Sequence, residues 1–204
     1  MEIIEREILI TELMKSIARR DEWILAGHSM GGGVAVNIAI ENPVKALLLY
    51  CPAPQSEFPE EMKGLVQSDI MKGTMNVFFK YGTEIDPLVK MVIFMATLDC
   101  KFSKDYDLDG VTDAVQYDGF GAGMCEMMYN VRPTDLENAD KITCPVLLVQ
   151  ASGDMVLNAQ MKDQMNSAFP EATTYNVIGG GHQCIENRAK ELATVTNLFL
   201  WKNI

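Results

Sequence analysis

The sequence predicts an α/β domain of three layers, α/β/α, in which helices cover both faces of a mostly parallel sheet. Three observations lead there. Short apolar segments alternate with helix-patterned ones, as in successive strand-helix units. A glycine-flanked serine stands where one apolar segment meets a small-residue helix. A long stretch, residues 53–141, separates the second predicted strand from the third and carries helical patterning of its own.

In chain order, residues 3–20 place Ile4, Ile8, Leu13, Met14 and Ile17 near helical spacing with charges between them, which predicts an amphipathic helix ending near Arg19-Arg20. Trp23-Ile24-Leu25-Ala26 is apolar without alternation, as a parallel strand buried on both faces would be. Gly32 to Glu41 reads as a helix, stopped by Asn42-Pro43. Val44–Tyr50, Val146–Ala151 and Thr173–Ile178 read as further buried strands, and residues 158–168 and 185–201 as helices. Inside the long stretch, residues 60–80, 86–97 and 121–130 look helical, so a lid is expected over 53–141, with the sheet domain formed by 1–52 and 142–204.

A chain of 204 residues with 48% hydrophobic side chains can bury one sizeable core. Its net charge of -11 repels phosphate backbones and anionic lipid surfaces, so nucleic acid is not an expected partner. The segment Met1-Glu2-Ile3-Ile4-Glu5-Arg6-Glu7 lacks the pattern of a signal peptide, and no stretch approaches the roughly 20 apolar residues of a membrane span. A cytoplasmic location follows as the expectation. The five cysteines are odd in number and scattered, with no C-x-x-C pair, which predicts buried thiols for most of them rather than a disulfide framework or a zinc site. No cofactor or metal is expected.

The chemistry centres on Gly27-His28-Ser29-Met30-Gly31. A G-x-S-x-G sequence between a buried strand and a helix forms a tight turn that lifts the serine hydroxyl above the sheet, and the Met30 backbone N–H at the helix start can donate to a developing oxyanion. Serine needs a base, and the only histidines are His28 and His182. His28, next to Ser29 on the turn, is expected to pack or hydrogen-bond beneath it. His182 follows Gly179-Gly180-Gly181 on a loop that can swing an imidazole over the sheet edge. The imidazole needs a carboxylate, and Asp154, just beyond the Val146–Ala151 strand, is the best placed; Glu57 is the competitor near the end of the Val44–Tyr50 strand.

The order Ser29, Asp154, His182, with Gly27-His28-Ser29-Met30-Gly31-Gly32, Ile142-Thr143-Cys144-Pro145-Val146-Leu147-Leu148-Val149 before Gly153-Asp154, and Gly181-His182 before a terminal helix, resembles the α/β-hydrolase family over almost the whole chain. The resemblance implies a serine hydrolase acting without a cofactor on a small carboxylic ester or related acyl substrate. Carbon-carbon or lactone hydrolysis by the same residues, and a non-catalytic binding module, are its alternatives. A serine nucleophile speaks against the haloalkane dehalogenase and epoxide hydrolase branches, which use aspartate. The lid methionines, Met62, Met71, Met75, Met91, Met95, Met124, Met127 and Met128, would either pack the lid core or offer an adaptable apolar lining. Family members carry further strands and an oxyanion-donating loop before the serine turn, whereas no His-Gly or Gly-Gly loop precedes Gly27. The resemblance therefore implies an amino-terminally shortened hydrolase with an exposed sheet edge, and three explanations compete: a fragment of a longer hydrolase, a chain whose edge is covered by a second copy or a complementary chain, and a shortened relative with weakened or no activity.

Overall fold

A computed structural model describes residues 6–17, 23–82 and 117–204. Four parallel strands, β1 (Ile24–His28), β2 (Ala46–Tyr50), β3 (Val146–Ala151) and β4 (Thr173–Val177), lie side by side in chain order. The register is continuous across them, with Ala26 beside Leu48, Leu48 beside Leu147, and Leu147 beside Thr173. The helices are α1 (Arg6–Ile17), α2 (Met30–Glu41), α3 (Glu60–Gln67), α4 (Asp69–Gly82), α5 (Phe120–Tyr129), α6 (Ala159–Ala168), α7 (Cys184–Asn187) and α8 (Ala189–Asn203). None of the described helices is long and apolar enough to cross a membrane.

The two-residue period of the central strands divides the core between two faces. Leu47, Leu49 and Leu148 pack with Val34, Ala35 and Ile38 of α2 and Met165 of α6. Leu48, Tyr50, Leu147 and Val149 pack with Leu192 and Phe199 of α8. Three layers result, as expected from the sequence.

Burial along the strands departs from the expectation. β2 is buried throughout, but β1 alternates, with Ile24 and Ala26 exposed and Leu25 and Gly27 buried, while Thr173, Thr174 and Asn176 of β4 are exposed. Both are edge strands of the described sheet, so the apolar run in β1 does not signal coverage on two faces. In α1 the apolar residues picked out by spacing divide: Met14 is buried, but Ile8, Leu13 and Ile17 are 50%, 57% and 64% exposed, and Ile4 lies outside the described residues. The buried stripe is narrower than expected, and Glu7 shares it with Met14 at 4% each. Seven residues apart, they share one helix face, and the Glu7 carboxylate accepts a hydrogen bond from Asn37 Nδ2 of α2 at 3.3 Å.

The chain forms two compact units. The sheet unit holds the described residues through Gln55 and from Pro133 onward, and the helical unit those from Ser56 to Gly82 and from 117 to Arg132. Residues 133–141, placed by sequence in the insertion, thus belong with the sheet: the 3-10 helix Leu136–Lys141 buries Ala139 in the cluster around α2. Within the helical unit, the predicted helix over 60–80 is two helices. Ser68 breaks it with an extended ψ of 143°, and its hydroxyl accepts from Met71 N–H at 3.2 Å, capping α4. Phe79 of α4 meets Phe120 of α5 edge to face at 5.0 Å between centroids. The predicted helix over 86–97 lies outside the described residues. So do Met91 and Met95; the other six methionines of the insertion all keep some exposure, and the buried side chains of these helices are Val66 and Cys125 instead.

Asn37, 2% exposed, is the polar joint of the sheet unit. Besides Glu7, its Nδ2 donates to Pro133 O at 3.1 Å, and its Oδ1 accepts from Asp135 N–H at 2.9 Å, which ties the segment after the insertion to α2. Asn37→Ala leaves these groups without partners and is expected to cost about 2–4 kcal/mol in denaturant unfolding, well above the change for a surface alanine.

Candidate active site

The site begins with a strained turn. Ser29 has φ 52° and ψ -125°, a left-handed conformation that L-residues avoid at a cost of about 1–3 kcal/mol. Neighbouring backbone holds it there: Ser29 N–H donates to Tyr50 O at 3.0 Å, and Ser29 O accepts from Gly32 N–H at 2.9 Å and Ala53 N–H at 2.8 Å. The turn closes only because glycines leave room. A Cβ on Gly27 would lie 2.3 Å from Gly31 O, and one on Gly32 would lie 2.6 Å from Pro52 Cβ. Gly31, the second glycine of the motif, faces open space. The steric requirement thus sits at Gly27 and Gly32.

The three side chains singled out from the sequence come together. Ser29 Oγ lies 2.8 Å from His182 Nε2, and His182 Nδ1 lies 2.8 Å from Asp154 Oδ2. An ionised carboxylate only accepts, so Nδ1 carries the proton and Nε2 accepts from the serine hydroxyl. Asp154 occupies the turn after β3, where its Oδ1 accepts from the N–H groups of Val156 and Leu157 at 2.9 and 3.0 Å. Burial pushes the Asp154 carboxyl up, but the hydrogen bonds from His182, Leu157 and Val156 outweigh it and hold the group below the ordinary carboxylate range. His182, 5% exposed, reaches the site from the loop after β4, which turns at Gly179 with φ 69°. Met30 is the first residue of α2. Its carbonyl accepts from Gln55 Nε2 at 2.6 Å, a contact no sequence pattern announces. Glu57 is exposed and belongs to the helical unit.

His28 does have a hydrogen-bonding role, and its partner is specific. Its Nε2 is 2.9 Å from the backbone carbonyl of His182, and the two rings stand 5.0 Å apart. A carbonyl only accepts, so His28 Nε2 carries the proton and pins the loop that bears the second histidine. Behind Asp154, the sheet unit also brings Cys51 and Cys184 together, Sγ to Sγ 3.5 Å. Both are buried thiols, as the sequence predicts, and so is Cys125, while Cys144 keeps some exposure. A separation of 133 residues left their pairing without any sequence signal.

The family model Hydrolase_4, described as serine aminopeptidase, S33, matches residues 7–187. The chain belongs to this α/β-hydrolase family. Among curated relatives, the hydrolase chain is similar to a Mycoplasma pneumoniae protein named esterase/lipase 2, with 26% identity over 169 residues. That match takes in 80% of this chain and 58% of the relative's length, so the chain spans little more than half of the relative. Among solved structures, a serine hydrolase involved in carbazole degradation superposes with a TM-score of 0.70 at 17% identity, covering 96% of this chain and 69% of the other. An esterase from Exiguobacterium antarcticum gives 0.67 at 16% identity, covering 95% and 72%. At these identities the likeness is one of fold.

Two expectations follow for the hydrolase site. Gly27→Ala drives a methyl group into the turn backbone and is expected to unfold the chain or lower its melting temperature sharply, whereas Gly31→Ala is tolerated; paired thermal melts check the contrast. Burial, only partly offset by the carbonyl of His182 and by the charges of Glu186 and Asp154, pushes the His28 pKa below its ordinary 6.5. The unfolded chain then binds the proton more readily, so this contribution to stability is complete above about pH 6.5 and lost as pH falls toward the folded value. His28→Gln keeps a donor for the His182 carbonyl but does not titrate, and urea unfolding across pH 4.5–7.5 should show a shallower acid-side decline, in the range set by the unperturbed histidine value of about 6.5.

Proposed function

We propose that the protein is a serine hydrolase of a small carboxylic ester or related acyl substrate, working through an acyl-enzyme without a cofactor. The observation that carries this reading is the unbroken hydrogen-bonded line from Ser29 Oγ through His182 to Asp154, both links 2.8 Å, starting from a strained turn at a helix N-terminus. Membership of the hydrolase family and the likeness to a protein named esterase/lipase support it.

In this reading Ser29 Oγ attacks the substrate carbonyl while His182 Nε2 takes its proton, and Asp154 stabilises the resulting imidazolium. The Met30 N–H, aligned with the dipole of α2, donates to the tetrahedral oxyanion. His182 then passes the proton to the leaving alcohol. Water enters, gives a proton to Nε2 and adds to the acyl carbonyl; the carboxylic acid then leaves as Nε2 passes that proton to Ser29 Oγ, which restores the serine. The acid has to stay ionised throughout for the imidazolium to gain anything, and the lowered pKa of Asp154 meets that requirement.

Intact-mass analysis after exposure to a fluorophosphonate tests the proposal. One adduct is expected on the wild-type chain and none on Ser29→Ala, since such reagents report a serine activated by a base beside an oxyanion site. Two folded proteins that both stay unlabelled would leave a non-catalytic binding module as the better reading.

A further inference from the structure

Close to Asp154 and His182 lie two thiols, Cys51 and Cys184, that the hydrolytic proposal does not use. Cys51, at the end of β2, adopts φ 42°, a left-handed conformation, and is held there by a backbone bond to Val149 O at 2.8 Å. Its thiol sulfur, one carboxylate oxygen of Asp154 and one ring nitrogen of His182 all lie within 4.8 Å of one another, and all three residues are buried. The Cys184 sulfur, 3.5 Å from that of Cys51, borders the same space.

Thiolate, imidazole and carboxylate are the donor types that zinc selects, in tetrahedral arrays with Zn–S near 2.3 Å and Zn–N or Zn–O near 2.0–2.1 Å. Ligand atoms in such an array stand about 3.3–3.8 Å apart. The 2.8 Å His182–Asp154 bond has to open by about half an ångström to match, and the Cys51 sulfur, within 4.8 Å of both partner atoms, has to close by at most about an ångström. We propose that Cys51, Asp154 and His182 form a binding site for a zinc ion, with Cys184 beside the fourth position, and that occupation switches the serine off.

The chemistry of inhibition follows from the histidine tautomer. Zinc bonds to Cys51 sulfur, whose proton leaves to solvent, to an Asp154 oxygen, and to His182 Nδ1. The Nδ1 proton is displaced to Nε2, which keeps the ring neutral. Nε2 then carries a hydrogen in place of the lone pair that accepts from Ser29, so the serine loses its base while remaining in place. Because the ligands are buried, the ion enters only when the His182 loop opens, and binding is slow.

Binding needs no catalysis, so the proposal and the hydrolytic reading on which its inhibitory half rests can fail separately. Zinc is added to the full chain, and competition against a chromophoric zinc chelator measures affinity and stoichiometry. One equivalent is expected on the wild type and on Ser29→Ala, with affinity at least about 10-fold lower in Cys51→Ala and in Asp154→Asn, and unchanged in Cys144→Ala. Fluorophosphonate labelling of the wild type should fall on preincubation with zinc and return on chelation, and labelling of Cys51→Ala should resist zinc. No stoichiometric binding, or equal affinity in folded Cys51→Ala and wild type, overturns the site. Binding as expected with labelling absent at every metal level would retain the site and remove the hydrolytic reading instead.

Discussion

The left-handed turn at Ser29 is the constraint on which the rest of the site depends. A serine in that conformation has to be held from outside, because its own torsional preferences oppose it by about 1–3 kcal/mol. The holding groups are backbone amides and carbonyls of Tyr50, Ala53 and Gly32, and Tyr50 is itself set by the register of β2, buried throughout, against its neighbours. The apolar core therefore does more than provide stability. It fixes where β2 ends, and thereby where a strained residue on the neighbouring strand can lean.

The same strand ends assemble the charge pattern. Asp154 follows β3 and His182 follows β4, so the carboxylate and imidazole meet above the carboxyl edge of the sheet, beside the serine that follows β1. Two opposing effects act on Asp154. Removal from water favours the neutral acid, while a histidine N–H and two backbone N–H groups favour the anion, and the donors win. A carboxylate held by three donors is also fixed in orientation, which in turn fixes the tautomer and tilt of His182. His28 anchors the other end of that ring's residue through its carbonyl, so the imidazole is located by both its side chain and its backbone.

Much of this was legible in the sequence because local chemistry carries it. The serine turn announces itself through Gly27 and its position between a strand and a helix, and Asp154 and His182 follow from strand ends. Matters decided by tertiary neighbours were not legible. The apolar run of β1 cannot tell a central strand from an edge, and the spacing in α1 points to Ile8, Leu13 and Ile17 along with Met14, whereas the fold buries Met14 and adds Glu7, because Asn37 offers the carboxylate a donor. Ser68 could have been read as a cap dividing 60–80, since a serine followed by acidic Asp69 favours a helix start. No local pattern could have placed Cys51 beside Cys184, or the amide of Gln55 under Met30.

An open parallel sheet gathers at one edge whatever residues happen to end its strands, and this cuts both ways. Three of the strand ends provide serine, acid and histidine, and the fourth provides Cys51. A thiol there keeps its proton, since its bond to Cys184, burial and the charge of Asp154 all push its pKa far upward, so it does not compete with Asp154 for the histidine proton. The Cys184 bond and burial oppose a bare thiolate, but not one paired with a cation. A divalent ion supplies the countercharge that the buried thiolate lacks and turns the same thiol into a ligand, so a group that is inert beside the hydrogen-bonded pair becomes its rival once zinc arrives.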